Sequence, residues 1–368
     1  MTDLILSPLD GIHRTLGAKF AEFGGWEMPI EYVGVLAEHS AVRERVGLFD
    51  VSHLGTFLVE GEQAAAYLNT QLSNDLNRIT PGQAQYTLLL DPSGGVVDDM
   101  IVYLISDDRV MVVPNAANSA EVIRRLRVNS PENLIWTDRH TADAIIAVQG
   151  PLSAKVLSDL AIPTEMGYMS FVRIDAEING TTMPMSICRT GYTGEHGYEL
   201  VVAAGDAPAV WTALMNAGSQ YGIQPAGLGA RDTLRTEMGY PLHGQDLSLE
   251  ISPVEARVNW AVGWKKEHFV GDEAVRAQRS DGVARTLLGI RATGRGIPRH
   301  GMIVIDESGT AIGEVTSGTF SPTLRTGIGL ALLPSSTQVG DHIKVEVRNR
   351  QEEFEVVKPP FVPSHVTN

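Results

Sequence analysis

The chain changes character at about residue 287, and this change limits its possible folds more than any other feature. Beyond this point, apolar and polar residues alternate in short segments separated by Gly, Pro and Asn. Before it, helical and strand patterns are mixed without the regular alternation that a doubly wound sheet requires. With 368 residues, the chain is also longer than one core usually supports. We therefore predict a multidomain α+β protein that ends in a small all-β domain.

Local patterns predict several elements within this outline. Apolar residues recur at three- and four-residue spacing in four segments, which we predict as packing helices: 35–46, 61–72, 119–128 and 207–221. The dipeptide Asn179-Gly180 favours positive φ between two strand-like segments, so it predicts a hairpin turn. A second hairpin is expected about Asn349. The charged stretch 266–281 is the best candidate for the link to the β domain.

Composition and termini exclude several classes of protein. The net charge of −15 argues against general binding to a phosphate backbone. No run approaches the roughly 18 apolar residues of a membrane span. Asp3 stands where a signal peptide would carry basic residues. The only cysteine, Cys188, lies in an apolar strand-like run and is expected to be a buried side chain without chemistry. The sequence therefore predicts a cytoplasmic protein that binds neither nucleic acid nor membrane.

Common nucleotide and metal motifs are absent from the sequence. It contains no P-loop, and GLGARD at Gly227 lacks the third glycine of a dinucleotide fingerprint. No H-E-x-x-H occurs among the ten histidines, so no metal site is predicted. DPSGGVVDD, which begins at Asp91, lacks the ligand pattern of a calcium loop and is expected to form a turn between two strands.

Eight glycine-rich, polar segments are spread over the whole chain. Their order and spacing resemble those of the glycine cleavage T-protein family from end to end. The segments are FGGWEMP (23–29), VGLFDVSHLG (46–55), GGVVDDMIVY (94–103), VVPNAAN (112–118), TGYTGEHGYEL (190–200), GLGARDTLRTEMGYPLHGQD (227–246), SPVEARVNWAVGWKK (252–266) and GEVTSGTFSPTLRTGIGLALL (313–333).

This resemblance implies a fold and a reaction. The fold would be a three-domain cloverleaf around a central opening that binds tetrahydrofolate. Its body, 1–280, would consist of two interleaved subdomains, one inserted roughly at 55–140, and 281–368 would form a β-barrel-like domain. The reaction would be aminomethyl transfer from the lipoyl arm of the H-protein to tetrahydrofolate. It would give 5,10-methylenetetrahydrofolate, ammonia and dihydrolipoyl H-protein.

The resemblance also implies the central acidic residues of the site. Asp98 and Asp99 point to opposite faces of a strand, so only one of them is expected to meet a ligand. Asp99 matches the family's catalytic aspartate, and Asp98 is then expected to be a structural or surface carboxylate. Glu199 matches the glutamate that closes on the folate, whereas Glu195 is assigned to the turn. A carboxylate suits the adjacent N–H donors of a pterin ring.

Further candidate ligand-contacting residues follow from the same segments. Arg231 matches the family's folate-contacting arginine, and its planar fork suits the carboxylates of the glutamyl tail. Arg235, one turn later, either shares this face or is a solvated surface group. Four further residues match family positions around the ligand, three as flat aromatic rings and one as a polar group in the wall. A structural role remains an alternative for all four: Tyr86, Tyr192, Tyr240 and Asn115.

The sequence departs from the family pattern at a few positions, and alternatives to aminomethyl transfer remain. Leu54 replaces a frequent methionine, Arg257 replaces a usual glycine, and the C-terminal end lacks a tyrosine found in some relatives. A folate-dependent demethylase-type module would use the same pocket but is normally fused to a flavin domain, for which we see no room. A non-transferase folate-binding protein of the superfamily carries a K-G-C-Y-x-G-Q segment, which is absent here. A purely structural protein would not need Asp99, Glu199 and Arg231.

Overall fold

The structure, a computed structural model, describes residues 4–348 and 350–367. The helices of these residues are α1 Asp10–Thr15, α2 Val35–Glu44, α3 Ala64–Gln71, α4 Ser119–Arg127, α5 Ser153–Ser158, α6 Ala207–Gly218, α7 Leu228–Met238 and α8 Asp272–Asp281. The strands of the body are β1 Ile5–Leu6, β2 Lys19–Phe23, β3 Trp26–Glu31, β4 Gly47–Asp50, β5 Phe57–Glu60, β6 Gln83–Leu90, β7 Val96–Ser106, β8 Arg109–Pro114, β9 Ile135–Asp138, β10 Asp143–Gln149, β11 Phe171–Ile178, β12 Thr181–Cys188, β13 Gly197–Ala203 and β14 Gln224–Pro225. The later strands are β15 Arg285–Ala292, β16 Ile303–Ile305, β17 Ala311–Ser321, β18 Thr326–Pro334, β19 His342–Val347 and β20 Arg350–Val357.

Three open sheets and one closed barrel organise these strands. A six-stranded sheet has the order β11-β12-β13-β10-β4-β14, and a five-stranded sheet has the order β6-β7-β8-β5-β9. A small third sheet has the order β1-β3-β2. The last six strands close into a barrel, β15-β18-β17-β16-β19-β20. The predicted α+β class with a C-terminal barrel is therefore confirmed.

The two larger sheets pack face to face, with helices on their outer faces. Their inner faces share one apolar cluster, which contains Phe49 and Val201 from the six-stranded sheet and Tyr103 and Met111 from the five-stranded sheet. On the outer face of the six-stranded sheet lie α5 and α6, whose Trp211 is buried in a second cluster. On the outer face of the five-stranded sheet lie α3 and α4. Side chains alternate between the faces of a strand, so polar residues on the inner faces are directed between the sheets.

The predicted local elements form close to their expected positions. All four predicted helices are present as α2, α3, α4 and α6, each with ends up to three residues inside the predicted range. Asn179 and Gly180 have φ values of 51° and 78° and join the antiparallel strands β11 and β12, as the hairpin prediction required. The antiparallel pair β19 and β20 confirms the second hairpin, although Asn349 itself lies outside the described residues.

The link before the barrel contains a helix that the charge pattern did not predict. This helix, α8, carries Asp272 and Glu273 in its first turn and Arg279 in its last turn, an order that suits the helix dipole. It buries Val275 against the body. Within the described residues, no helix is long and apolar enough to cross a membrane.

Candidate active site

A β-bulge places two adjacent carboxylates at the start of β7. Leu89 pairs with Asp98 and Leu90 pairs with Val96, so Val97 is an extra residue on β7. Such a bulge bends its strand and changes the direction of the neighbouring side chains. Asp98 is fully buried, and Asp99 is partly accessible.

Three neutral side chains hold these two carboxylates. The Asn115 amide nitrogen lies 2.9 Å from Oδ1 of both Asp98 and Asp99, and the Asn115 backbone N–H donates to Oδ2 of Asp98 at 3.0 Å. The Asn118 amide nitrogen donates to Oδ1 of Asp98 at 2.8 Å. The Tyr86 hydroxyl donates to Oδ2 of Asp99 at 2.9 Å. All the hydrogen bonds to the pair therefore come from groups without charge.

This surrounding raises the pKa of both carboxyl groups. Burial, followed by the adjacent charge of Asp99, raises the pKa of Asp98 to about 8. Burial also raises the pKa of Asp99, and this shift is opposed only in part by the charge that His243 carries when its ring is protonated and by the hydrogen bonds from Tyr86 and Asn115. Because the two groups share Asn115 and interact closely, they take up protons as a pair. The pair can therefore accept or release one proton near neutral pH.

Glu199 lies on the opposing sheet and is connected to β7 through hydroxyl groups. It shares a face of β13 with Val201, which belongs to the cluster between the two sheets. The Thr190 hydroxyl donates a hydrogen bond to Glu199 and lies 3.2 Å from the Tyr103 hydroxyl of β7. Tyr103 is on the same face of β7 as Asp99, as the sequence predicted from the strand period. The two predicted acidic site residues thus come from the inner faces of facing sheets.

Arg231 supplies a partly buried positive charge beside aromatic rings. It lies in α7, and its guanidinium carbon is 4.5 Å from the centre of the Tyr192 ring. The rings of Tyr192 and Tyr240 stack with their centres 5.7 Å apart, and the Tyr192 hydroxyl donates to the carbonyl of Pro241. Burial lowers the pKa of Arg231, while the charge of Glu199 opposes this shift. Within residues 4–348 and 350–367, no carboxylate forms an ion pair with Arg231, so a ligand anion could take that place.

The structure brings the predicted site residues into two hydrogen-bonded or stacked groups around the space between the sheets. One group is Tyr86, Asp99 and Asn115. The other is Arg231, Tyr192 and Tyr240, with Glu199 close to Arg231. In the described part of the chain, no cluster of three or more His, Cys, Asp or Glu side chains is arranged to hold a metal ion.

Two of the sequence-based alternatives are decided by the structure. Asp98 is a buried structural carboxylate and not a surface group. Arg235 is neither solvated nor free for a ligand, because it is 2% exposed and binds Asp232 at 2.8 Å and Asp246 at 3.0 Å. Its charge is therefore neutralised within the fold.

Sequence reasoning missed three polar residues that complete the site. They are Thr190 beside Glu199, Asn118 beside Asp98, and His243, whose Nδ1 lies 2.9 Å from the Asn118 amide nitrogen. Each lies inside one of the eight segments that carry the family resemblance, which was the available signal. Their partners are distant in sequence, so no local pattern identified the contacts.

Taken together, the fold and the site define an enzyme with an acid pair at the start of β7 and a C-terminal barrel. The chain matches two family models. Residues 9–266 match the model described as the GCVT N-terminal domain, and residues 285–363 match the one described as the glycine cleavage T-protein C-terminal barrel domain. The chain belongs to the glycine cleavage T-protein family.

Similar proteins cover the full length of the chain. An aminomethyltransferase of Frankia alni is 59% identical over 366 residues, which is 99% of each chain. An aminomethyltransferase of Mycobacterium tuberculosis is 54% identical over 362 residues, covering 98% of this chain and 97% of the relative. The crystal structure of the glycine cleavage system aminomethyltransferase T from Bartonella henselae matches with a TM-score of 0.92 and 32% identity over 100% of both chains. The same enzyme class, aminomethyltransferase, applies to this chain.

Proposed function

We propose that this chain transfers a one-carbon unit from the aminomethyl-lipoyl arm of the H-protein to tetrahydrofolate. The products are 5,10-methylenetetrahydrofolate, ammonia and dihydrolipoyl H-protein. The donor carbon loses its bonds to sulfur and to the amino nitrogen, and it gains bonds to N5 and N10 of the folate. The hydrogens of these two folate nitrogens leave with the thiol and with ammonia. The reaction therefore moves protons without any oxidant or reductant.

The observation that best supports this proposal is the acid pair of Asp98 and Asp99. Proton transfer near neutral pH is most efficient when the pKa of the catalytic group is close to the working pH. Burial and mutual repulsion raise the pKa values of this pair toward that range. Asp99 is the more accessible member, so it is the group we assign to accept the proton of the attacking folate nitrogen.

The remaining predicted residues would bind and orient the folate. Glu199 would accept the two parallel N–H donors of the pterin ring, and Thr190 holds its carboxylate in place. Arg231, which lacks an anionic partner among the described residues, would bind a carboxylate of the glutamyl tail. The stacked rings of Tyr192 and Tyr240 provide a flat apolar wall. Tyr86 and Asn115 would position Asp99.

The test is a reaction with defined donors. Purified protein is mixed with tetrahydrofolate and with aminomethylated lipoyl H-protein, and both ammonia and 5,10-methylenetetrahydrofolate are measured. We expect equal amounts of the two products, and none without folate. Sarcosine and dimethylglycine serve as control donors for the demethylase alternative. Folded protein that binds folate but forms no product from the H-protein would contradict the proposal and would favour the non-transferase alternative. The predicted cytoplasmic location can be tested by cell fractionation.

A further inference from the structure

His243 connects the acid pair to the beginning of its own strand. It lies in the loop after α7, and its Nε2 is 3.1 Å from the carbonyl oxygen of Val96, the first residue of β7. Its Nδ1 is 2.9 Å from the amide nitrogen of Asn118, which is itself 2.8 Å from Oδ1 of Asp98. A continuous path of hydrogen bonds therefore runs from the Val96 carbonyl through His243 and Asn118 to Asp98.

The two ends of this path determine where its hydrogen atoms lie. A backbone carbonyl only accepts hydrogen bonds, so Nε2 of His243 must carry a hydrogen. While Asp98 is ionised, turning the Asn118 amide over would place its oxygen against a carboxylate oxygen, so in that state the nitrogen must face Asp98. The second hydrogen of that nitrogen points to Nδ1 of His243, which must therefore be unprotonated. Only the neutral Nε2–H form of His243 satisfies all three contacts.

We propose that His243 is a positioning residue for the Asp98 and Asp99 pair, and that it serves this role only in its neutral Nε2–H form. A proton on Nδ1 would face the hydrogens of the Asn118 amide. The amide would then turn, and Asp98 would lose a donor and face an oxygen. Asp98 would take up a proton in response, because an acid oxygen can donate to the amide oxygen. Asn115, which binds both carboxylates, passes this change to Asp99.

Other ionisable groups lie near this path but are not part of it. Tyr86 and Tyr192 face the pair, and burial raises the pKa of both hydroxyl groups. Arg235 and Asp246 lie on and after α7, and they are bound to each other at 3.0 Å. The groups that can respond are therefore Asp98, Asp99 and His243. The inference rests on the proposed role of Asp99 in proton transfer.

The first test is the pH dependence of the aminomethyl-transfer rate at saturating folate. His243→Asn keeps an acceptor near the position of Nδ1 but cannot be protonated. We expect its maximal rate to fall less than that of Asn118→Ala, because the Asn118 contact is kept. The acid side of the profile should move to lower pH, because a proton can no longer be taken up at this position and turn the Asn118 amide. The KM for tetrahydrofolate should not change.

His300→Asn is the matched control, because a ring nitrogen of His300 likewise contacts a backbone carbonyl. Its Nδ1 lies 2.8 Å from the carbonyl oxygen of Thr316 in the barrel. Its profile should superimpose on that of wild type. Asn118→Ala should lower the maximal rate about tenfold, because it removes the donor itself. An acid limb in His243→Asn that superimposes on wild type would overturn the inference.

The second test needs no turnover and so separates this inference from the proposed function. Wild type is labelled with ¹⁵N-histidine, and the His243 signals are assigned by their loss in His243→Asn. At neutral pH, Nε2 should be protonated and Nδ1 should not. A charged imidazole or the Nδ1–H tautomer at that pH would contradict the inference, whether or not the protein transfers aminomethyl groups.

Discussion

Two clusters in the interior of this protein each contain two carboxyl groups, but the partners of these groups differ. The acid pair, Asp98 and Asp99, receives hydrogen bonds only from neutral groups. The second cluster, which we call the ion cluster, consists of Glu195, Glu237, Arg43 and His39. Nη2 of Arg43 is 2.8 Å from Glu237 and Nη1 is 2.9 Å from Glu195, while His39 is 3.3 Å from Glu237.

The partners reverse the effect of burial on the carboxyl groups. Burial alone would raise the pKa of Glu237, but the hydrogen bond and charge of His39 and the charge of Arg43 lower it to about 2. Asp98 lacks such cations, so burial and the charge of Asp99 raise its pKa to about 8. Glu237 therefore stays ionised and stabilises the fold, whereas the acid pair can exchange a proton.

The largest expected effect on stability is that of breaking the ion cluster. Arg43→Met removes the arginine that two buried carboxylates share, which should lower the free energy of unfolding by about 3–5 kcal/mol. The control is Arg14→Met, which breaks two exposed ion pairs and should leave the free energy of unfolding close to that of wild type. Urea unfolding measures both values. A loss below about 1 kcal/mol for Arg43→Met would contradict the claim that the ion cluster stabilises the fold.

Folate affinity separates the two glutamates of the segment 190–200. Glu199→Gln should weaken tetrahydrofolate binding about 10- to 100-fold, because it replaces a charged acceptor of the pterin ring. Glu195→Gln, in the ion cluster, should destabilise the protein but leave the dissociation constant of the folded protein unchanged. Isothermal titration calorimetry at a temperature where both variants are folded gives the constants. Equal losses of affinity would show that Glu199 has no specific contact.

The two clusters should also give opposite pH dependences of stability. The pKa of Asp98 is raised from its ordinary value of 3.8 to about 8, so ionised Asp98 opposes folding. Wild type should lose stability relative to Asp98→Asn as the pH rises from about 4 to about 8. The pKa of Glu237 is lowered from 4.5 to about 2, so wild type should lose its advantage over Glu237→Gln as the pH falls from about 4.5 to about 2.

Urea unfolding at a series of pH values provides this measurement for both variants. The two clusters are compared by the slope of the free energy of unfolding against pH, and not by the absolute stabilities. Parallel slopes for the two variants would mean that Asp98 and Glu237 are in equivalent environments, and the distinction between the clusters would fail.

The smallest expected effect is that of the hydrogen bond from Tyr86 to Asp99. Tyr86→Phe should lower the maximal rate about fivefold, which corresponds to the roughly 1 kcal/mol of one such bond. Tyr67→Phe removes a hydrogen bond to the carbonyl of Leu126 instead and should not change the rate of the folded enzyme. A rate for Tyr86→Phe equal to wild type would show that this hydroxyl does not position Asp99.

The sequence predicted those features that depend on local periodicity. The strand period placed Asp99 and Tyr103 on one face, and the Asn179-Gly180 turn located a hairpin, because both follow from neighbouring residues. The bulge at Val97 could not be seen, because an extra residue in a strand depends on the register of its partner strand. The ion cluster was missed for a related reason. Arg43 and Glu237 are 194 residues apart in the sequence, so no local pattern encodes their contact.

The central claim is that, among the described residues, the acid pair receives hydrogen bonds only from neutral groups, so that Asp99 can move a proton. One comparison tests it most directly. The single-turnover rate of 5,10-methylenetetrahydrofolate formation is measured for wild type, Asp99→Asn and Glu237→Gln, with folate binding measured in parallel. We expect Asp99→Asn to lose about 100- to 10,000-fold in rate while folate affinity changes less than about threefold. Folded Glu237→Gln should retain the wild-type rate. A rate for Asp99→Asn within tenfold of wild type would contradict the claim.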